Sequence, residues 1–376
     1  MPLSRPLSSR LSRRSFIAIL GGGTVVAAAG SAGVFWSTRT PTKALAPWAA
    51  AGGYDDPRKQ ALSYAILAPN PHNLQPWMVD LSVADTVKLF RDPDRALPHT
   101  DPFDRQIFIG LGCFLEQMTI AASAGGYSVK TDLFPEGADG PVAVSEFVKG
   151  ADADPLFQHV MDRRSCKEPF DMRPVEAEKL NALADTATII SDESQVAVLR
   201  DLTWEAWKVE AYTPRTMKES VDVMRFGKAE IEANPDGIDL GGPFLETLML
   251  AGVVSREVQL DPESQGFQEG VKIYDAMLKA TPAYAVLTSK GNDRIAQIET
   301  GRRWLRLNLK TTGLGLALHP VSQALQEYAE MKPHYQQVHS LLAQEGETVQ
   351  MLGRLGYGPT LPRTPRWPLE KKLVAV

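Results

Sequence analysis

The chain has few of the residues on which metal and thiol chemistry depends. Its 376 residues include two cysteines, Cys113 and Cys166, and six histidines. The cysteines are far apart, with no C-x-x-C pair, and no H-E-x-x-H motif occurs, so the sequence predicts no metal site. The two thiols either form one disulfide in an oxidising compartment or lie apart and buried. No G-x-S-x-G motif occurs either, and nothing indicates a catalytic serine, histidine and aspartate.

Acidic residues outnumber basic ones outside the N-terminus. The net charge is −5, and the first 46 residues carry six basic side chains and no acid, which leaves −11 for the remainder. An acidic body without a run of lysine or arginine argues against binding to nucleic acid. Hydrophobic residues make up 44% of the chain. At this length the chain is expected to form two domains, or one large fused domain, with a sizeable core.

Residues 1–46 have the layout of an export signal. Arg13 and Arg14 are followed by Ser-Phe-Ile and by an apolar run to Trp36, rich in glycine and alanine. This pattern resembles a twin-arginine signal, and the A-L-A sequence ending at Ala46 predicts cleavage after that residue. The expected partner is the twin-arginine export machinery, and the expected location is periplasmic or otherwise exported. The alternative is an uncleaved membrane anchor, because the run has about the 20 residues that a spanning helix needs.

The periodicity of apolar residues predicts an α+β fold. Helical patterns cover 56–68, 105–127 and 292–312, and strand patterns include WMVDLSV, TVKLFRD, AYAVLTS and VQMLGRLGYGP. The helices at 105–127 and 292–312 each end in glycine and lead into a strand. We therefore predict an internal duplication, with a first half at 55–150 and a second half at 151–376. The glycine-broken stretch 213–250 inside the second half is long enough to form a lid.

The segment APNPHNLQPW, residues 68–77, is a rigid polar corner. Pro69, Pro71 and Pro76 end the preceding helix, because each lacks an amide donor and crowds the turn before it. Taken alone, the segment is a stiff turn before a strand anchored by Trp77.

Cations gather at two other places. DRRSCKEPF (162–170) holds Arg163, Arg164, Ser165 and Lys167, a set that suits a phosphate monoester, although a solvated helix end is the simpler explanation. DADPLFQHVMDRRSC, ending at Cys166, is predicted to be helical. The tail LPRTPRWPLE, taken alone, is a surface arm. The G-x-G of TTGLGLALHP follows a helix rather than a strand, so we predict a loop there and no dinucleotide fingerprint.

Together these segments resemble the nitroreductase family of flavoproteins. APNPHNLQPW looks like the A-P-S-x-x-N-x-Q-P-W corner of that family, and RRSCKEPFD looks like its phosphate-binding R-x-S-x-[RK]-x-F segment. GLGLALHPVSQ is similar to its G-L-G-x-x-P loop, and TPRWPLE is similar to its terminal R-x-P strand. The resemblance covers 55–370 and implies two protomer-like halves, each a mainly antiparallel sheet packed with helices.

The order of the motifs departs from that of the ordinary family. The corner comes first here, and the phosphate segment lies in the second half, as in the single-chain Acg-like subfamily. The resemblance thus implies one site for FMN per chain, with each half contributing one side. The implied cofactor-binding residues are Arg163, Arg164, Ser165, Lys167, Arg366, Pro69, Asn70, Pro71, His72, Asn73, Gly315, His319 and Pro320. Gln75 and Trp77 are expected to brace the corner.

The resemblance leaves the activity open. One hypothesis is a flavin-dependent oxidoreductase that passes electrons from NAD(P)H or another donor to a nitro-aromatic or quinone-like acceptor, with no side chain named as catalytic. The other is a flavin-binding or sequestering protein with a lid over the FMN, because an exported protein would not meet cytoplasmic NADPH. A partner-binding protein that has lost its flavin is a third class, against which the retained Arg163, Ser165 and Lys167 argue.

Overall fold

A computed structural model of the protein describes residues 38–374, so most of the predicted signal at 1–46 lies outside the described residues. Within them the chain forms twelve α-helices and ten β-strands. The helices are α1 (Thr42–Ala50), α2 (Pro57–Ala65), α3 (Arg105–Ala124), α4 (Ala177–Asn181), α5 (Glu193–Tyr212), α6 (Pro214–Asp222), α7 (Gly227–Ala233), α8 (Pro243–Leu250), α9 (Arg256–Leu260), α10 (Gln265–Lys279), α11 (Arg294–Gly313) and α12 (Lys332–Leu342). The strands are β1 (Trp77–Asp80), β2 (Thr86–Arg91), β3 (Tyr127–Leu133), β4 (Ala143–Lys149), β5 (Thr188–Ile190), β6 (Met224–Phe226), β7 (Ile238–Leu240), β8 (Ala283–Lys290), β9 (Ala317–Pro320) and β10 (Glu347–Gly356).

The two halves contain four-stranded sheets of the same design. The order is β1-β2-β4-β3 in the first half and β5-β8-β10-β9 in the second, and all neighbours in both sheets are antiparallel. In each half a long helix, α3 or α11, follows the second strand of this order and precedes the other two. This arrangement confirms the predicted α+β fold of two halves, each with an antiparallel sheet packed with helices.

The halves meet where α3 crosses α11. The crossing is close because Gly112 and Gly301 face each other: a Cβ on Gly112 would lie 2.1 Å from the Ile298 carbonyl oxygen, and one on Gly301 would lie 2.0 Å from that of Ile109. One continuous apolar core includes residues of both helices and both sheets. The backbones can approach this closely only because neither glycine carries a side chain.

Capping residues set where the two long helices begin. The carboxylate of Asp101 accepts hydrogen bonds from the backbone N–H groups of Gln106 and Ile107 at the start of α3. The carboxylate of Asp293 accepts one from Ala296 N–H at the start of α11. Both contacts satisfy amide donors that the first helical turn leaves free. By length and composition α3 could span a membrane, but most of it is buried inside the protein, so it is the core helix predicted for 105–127.

The C-terminal tail leaves the second half and returns to the first. Val79 N–H of β1 donates to Lys372 O, and Val374 N–H donates to Val79 O, which adds the tail as a short parallel bridge at the edge of the first sheet. The tail also contacts α1, since Arg366 N–H donates to Ala44 O. The predicted cleavage point after Ala46 therefore lies inside a helix that packs on the tail, and cleavage there remains a prediction.

Two sequence-based expectations about local structure were wrong. The predicted helix ending at Cys166 is only a short 3₁₀ turn, Pro155–His159, so the arginine segment after it is irregular. The predicted loop around His319 contains strand β9, which pairs with β10. In both cases contacts with distant segments override the local pattern. The stretch 213–250 contains α6, α7, α8 and the parallel pair β6 and β7, and its role as a lid stays a prediction.

Candidate functional site

The corner at 68–77 adopts a strained backbone. His72, Asn73 and Gln75 all have positive φ angles, of 47°, 56° and 54°. Residues other than glycine rarely occupy this region, at a cost of about 1–3 kcal/mol each, so the surrounding structure must hold them there. Part of that support is local, because Asn70 Oδ1 accepts a hydrogen bond of 2.7 Å from Gln75 N–H. Such strain is typical of functional sites.

Gln75 braces the corner from within the core, as predicted. Its buried side chain donates to Pro235 O at 2.8 Å and accepts from Trp367 N–H at 2.9 Å. Its carbonyl oxygen accepts from Lys372 Nζ at 2.7 Å. Trp77 is completely buried and packs its ring against Phe114. The corner is thus clamped between the 213–250 segment and the C-terminal tail.

Four guanidinium groups gather next to the corner. The ring of Trp48 lies within 4.9 Å of Arg164, 5.2 Å of Arg363 and 5.9 Å of Arg366. Arg163 joins them, since Arg163 and Arg366 both donate to Leu67 O at 3.1 Å. We call Arg163, Arg164, Arg363 and Arg366 the arginine cluster. It unites the arginine segment 162–170 and the tail, which the sequence separates by about two hundred residues.

The arginine cluster also reaches the corner directly. Arg366 Nη1 donates to Asn73 Oδ1 at 2.5 Å, and Asn73 Nδ2 donates to Pro365 O at 3.1 Å. Arg163 Nη1 donates to Asn308 Oδ1 on α11 at 3.1 Å. The predicted cofactor-binding residues Arg163, Arg164, Arg366 and Asn73 are therefore in one place, and residues of both halves contribute to it.

The positive charge of the arginine cluster is not balanced. No member forms an ion pair with a carboxylate of the part of the chain that the structure describes; the hydrogen bonds of Arg163, Arg164 and Arg366 go to carbonyl, amide and hydroxyl oxygens. Burial and the neighbouring guanidinium of Arg164 lower the pKa of Arg163 to about 10. Burial and the charges of Arg163 and Arg164 lower the pKa of Arg366 to about 9.

Two donors of the cluster are orphaned. Among residues 38–374, the buried Nε atoms of Arg163 and Arg366 find no hydrogen-bond partner. Buried charges in proteins are normally paired, and an unpaired buried donor costs about 1–3 kcal/mol. A phosphate group offers several anionic oxygens to guanidinium donors and would satisfy both requirements. The residues present therefore fit the terminal phosphate of a flavin mononucleotide.

Ser165 and Lys167 follow the cluster in sequence but differ in environment. Within residues 38–374 the Ser165 hydroxyl has no hydrogen-bond partner, and Lys167 is exposed and unpaired. The charge of Lys167 acts on the pKa of four groups from different elements, His72, Glu210, Asp239 and His319. It is not among the charges that shift the pKa of Arg163 or Arg366. Lys167 thus lies near His72 and His319, and Asp239 is influenced by both Lys167 and Arg366.

Two groups near Lys167, His72 and Asp239, are desolvated although solvent reaches them, and we call the region around Lys167 the crevice. His72 is half-exposed, yet desolvation followed by the charge of Lys167 lowers its pKa to about 4. Solvent reaches the Asp239 side chain, but desolvation by surrounding protein atoms raises its pKa, while the charges of Lys167 and Arg366 act to lower it. Groups that solvent reaches but that are strongly desolvated lie in a concave site. His72 is neutral at pH 7, so it can donate and accept hydrogen bonds there.

The predicted glycine and proline positions lie at the edge of the second sheet. Gly315 has a positive φ of 68° between α11 and β9, where a side chain would be strained. His319 and Pro320 belong to β9, and the Nδ1 atom of His319 lies 3.1 Å from Arg354 Nη1. Burial, then the charges of Arg354 and Lys167, keep the pKa of His319 well below its ordinary value. Of the predicted corner residues, Pro69 precedes the 3₁₀ turn Pro71–Asn73, and Pro71 packs against Gly110 of α3.

Sequence reasoning missed two acidic residues of the crevice. Glu210 ends up buried in α5, where its carboxylate accepts from Gln326 Nε2 at 2.8 Å and from Ser220 at 3.3 Å, and burial raises its pKa. Asp239 lies on β7 in the 213–250 segment. Neither residue belongs to a motif, so no sequence signal pointed to them.

A separate cavity of about 510 Å³ contains none of the predicted residues. It is lined by α3, β3, residues 151–156 and two basic side chains of α11, Arg306 and Lys310. Both cations are paired: Arg306 with Glu116 and Asp154, and Lys310 with Asp185. The cations of this cavity thus have carboxylate partners, unlike those of the arginine cluster.

Both cysteines are buried and free, as the isolated-thiol interpretation predicts.

Comparison with known proteins gives similarity over most of the chain. It is 24% identical over 323 residues to "Putative NAD(P)H nitroreductase Rv3131" of Mycobacterium tuberculosis, covering 82% of this chain and 88% of the relative. It is 26% identical over 337 residues to "Putative NAD(P)H nitroreductase acg" of the same organism, covering 83% of this chain and 94% of the relative. No family model matches. The similarity supports the predicted resemblance to the nitroreductase family and to its Acg-like members.

Solved structures give weaker likenesses. The FMN-dependent nitroreductase NfnB from Mycobacterium smegmatis, in complex with NADPH, is 17% identical with a TM-score of 0.37 and covers 57% of this chain and 96% of its own. A nitroreductase with bound FMN from Bacteroides fragilis is 14% identical with a TM-score of 0.33, with the same coverage. These scores are too low to support an inference about this chain.

Proposed function

We propose that the protein binds one FMN per chain and is a flavin-dependent oxidoreductase of the nitroreductase family. Its acceptors would be nitro-aromatic or quinone-like compounds, and its electron donor NAD(P)H or another reductant. The observation that carries this proposal is the arginine cluster, in which Arg163 and Arg366 are buried, form no ion pair with a carboxylate of residues 38–374, and leave their Nε atoms without a hydrogen-bond partner there. Relatives named as NAD(P)H nitroreductases over most of their length support the same class.

The phosphate would be held by Arg163, Arg366 and Ser165. Arg163 and Arg366 each have one buried Nε–H group without a partner. The Ser165 hydroxyl, which has no partner within residues 38–374, is available as a further donor. Two guanidinium groups and a hydroxyl bind a phosphate monoester by charge-assisted hydrogen bonds. Arg164 and Arg363 add positive charge nearby, with less effect because they are more exposed.

The ring would lie between the corner and β9, where Lys167 faces His72 and His319. The flavin supplies the electron transfer, and the protein supplies binding, orientation and electrostatics. His72 and His319 are neutral at pH 7 and offer hydrogen bonds without adding charge. Lys167 offers a positive charge to polar atoms of the ring. The strained corner, with Asn70, Pro71 and Asn73, would set the distance between the two halves.

The halves differ in a way that favours a single site. In the second half Arg163 contacts Asn308 of α11, and Cys166 N–H donates to Leu318 O of β9. The equivalent elements of the first half, α3 and β3, line the separate cavity instead, where Thr119 and Val129 are exposed to it. In the described part of the chain, residues 151–156 lie there in place of an arginine segment. One arginine cluster per chain to hold the phosphate therefore predicts about one FMN per chain.

A sequestering protein with little turnover is the alternative, and one observation favours it. The 213–250 segment is joined to the corner by hydrogen bonds, such as that between Gln75 and Pro235. A segment tied down in this way would restrict access of a donor or acceptor to the ring. Such a protein would hold FMN tightly and reduce substrates slowly.

Two measurements test the proposal. The purified protein should be yellow and release about one FMN per chain on denaturation; a colourless protein that does not take up added FMN would refute flavin binding. Stopped-flow mixing with NADPH should bleach the flavin within seconds if the protein is a reductase. A bound flavin that NADPH does not bleach would favour sequestration. So would a bound flavin that dithionite-reduced mediators reduce more slowly than they reduce free FMN.

We also propose export through the twin-arginine pathway, with a periplasmic or otherwise extracytoplasmic location. This pathway carries folded proteins and suits one that binds its cofactor before export. Arg13→Lys with Arg14→Lys should retain the protein in the cytoplasm. Normal export of that variant would exclude the pathway, and a full-length product in the membrane fraction would favour the anchor.

A further inference from the structure

Asp236 joins three separate regions of the chain. Its carboxylate is 3% exposed and lies in the 213–250 segment. It accepts hydrogen bonds from Arg95 of the first half at 2.7 Å, from Arg225 of its own segment at 2.6 Å, and from Trp367 Nε1 of the C-terminal tail at 2.7 Å. A buried carboxylate with three donors from three regions is a structural junction rather than a surface ion pair.

The neighbours of Asp236 hold the corner itself. Pro235 O accepts from Gln75 Nε2 at 2.8 Å, and Gly237 N–H donates to Asn73 O at 3.2 Å. Arg95, oriented by Asp236, donates to Leu74 O at 2.8 Å. Asn73, Leu74 and Gln75 are thus held by hydrogen bonds with the 235–237 loop or with Arg95, which that loop binds. Two of those three, Asn73 and Gln75, have positive φ angles.

The junction leaves little freedom for the loop to move. Gly237 has a positive φ of 74°, and a Cβ there would lie 2.1 Å from Val223 O, so its backbone is packed tightly against β6. Without the Asp236 carboxylate, Arg225 would lose its ion pair and Trp367 Nε1–H would lose its acceptor, while Arg95 would keep only Asp92 as an ion-pair partner, at 3.0 Å. The hydrogen bonds that tie the segment to the tail and to Arg95 of the first half would then be lost.

We propose that Asp236 is a positioning residue that latches the 213–250 segment onto the corner. The segment is then a fixed wall of the site rather than a freely opening lid, and exchange of the bound flavin requires the latch to break. The positioning of the corner by Asp236 stands on the contacts alone. Its consequence for flavin exchange rests on the proposed function.

The test compares Asp236→Asn with the matched control Asp222→Asn. Asp222 lies in the same segment but pairs only with exposed Lys218 at 2.6 Å, so its charge is screened by solvent. Hydrogen exchange on protein without added flavin should accelerate at least about tenfold in residues 70–76 and 234–240 of Asp236→Asn, and not in Asp222→Asn. Peptides of β8 and β10 should keep the wild-type rate. Unchanged exchange at 70–76, or acceleration spread equally over β8 and β10, would overturn the positioning role.

A milder variant keeps the test decisive if Asp236→Asn does not fold. Trp367→Phe keeps an aromatic side chain but removes the Nε1–H donor to Asp236 together with part of the ring, so it should accelerate exchange at 70–76 by several-fold, and failure to do so would overturn the proposal. Flavin release, measured by dilution into excess apoflavodoxin-type scavenger, should also be about tenfold faster in Asp236→Asn. A protein that binds no FMN refutes the proposed function, while the exchange experiment without flavin still decides the role of Asp236.

Discussion

Replacing Arg366 by methionine tests whether the arginine cluster binds the phosphate of FMN. Arg366 is 4% exposed and donates to Asn73 Oδ1, Thr364 Oγ1 and Leu67 O, while its Nε–H has no partner. Methionine keeps much of the volume and removes the charge. Leu67 O keeps its hydrogen bond from Arg163, and repulsion within the cluster falls. We therefore expect the protein without flavin to remain folded.

The loss should fall on the phosphate. A hydrogen bond to a charged group contributes about 1.5–3 kcal/mol. At about 1.4 kcal/mol per decade, the Kd for FMN should rise roughly 10- to 150-fold. Riboflavin has the same ring without the phosphate, so its Kd should change by less than about threefold. Titration of both ligands by quenching of flavin fluorescence measures this difference directly.

The control is Arg363→Met. Arg363 also lies by the Trp48 ring but is exposed, so solvent screens its charge, and it should change the Kd for FMN by less than about threefold. The reasoning is refuted if Arg366→Met weakens FMN and riboflavin by the same factor, or if Arg363→Met weakens FMN as much as Arg366→Met does.

Three further predictions concern other parts of the molecule. Lys167→Ala should weaken FMN and riboflavin by similar factors, because Lys167 faces the crevice rather than the arginine cluster; a loss confined to FMN in the same titrations would place it with the phosphate instead. Gly112→Ala should lower the free energy of unfolding by about 3 kcal/mol or more in urea titrations, because the new Cβ would lie 2.1 Å from Ile298 O, whereas Gly270→Ala, where a Cβ meets nothing within 4 Å, should not destabilise α10. In the folded protein burial, then the charge of Arg95, lowers the pKa of Lys372 from 10.5 to about 7. Between pH 7 and 10.5 the unfolded chain therefore binds more protons than the folded protein, and the free energy of unfolding rises with pH. Between pH 7 and 9 the unfolding free energy of the wild type should rise by about 2 kcal/mol relative to Lys372→Met, and parallel pH profiles would contradict this.

The strongest periodic patterns predicted their elements well. The helices at 105–127 and 292–312 correspond to Arg105–Ala124 and Arg294–Gly313, and both lie in the core. Their apolar faces and glycine stops are local signals, which survive because tertiary contacts agree with them. The local pattern wrongly predicted a helix through the arginine segment, where Arg163 instead forms hydrogen bonds with Asn308 and Leu67.

The site was predictable where a motif carried it and not elsewhere. The corner and the arginine segment could be identified from their residues, and Gln75 was expected as a brace. The positive φ angles at His72, Asn73 and Gln75 could not be predicted, because distant partners such as Pro235 and Trp367 help to hold the corner in that conformation. Asp236 and Asp239 belong to no motif, and their importance comes from charges that folding brings beside them.

The amino-acid sequence alone determined the α+β class, the two long core helices, the rigid corner and the residues that carry positive charge, because each depends on neighbours within a few turns of chain. Tertiary structure alone decided which of those charges meet. It brought Arg366 from the tail to Asn73 of the corner at 2.5 Å and left Arg163 and Arg366 without an ion-paired carboxylate within residues 38–374. It also placed Lys167 near enough to His72 and His319 that, besides burial, its charge lowers the pKa of both. Whether a cation binds an anion or faces solvent depends on burial and on distant partners, and neither is encoded in the residues beside it.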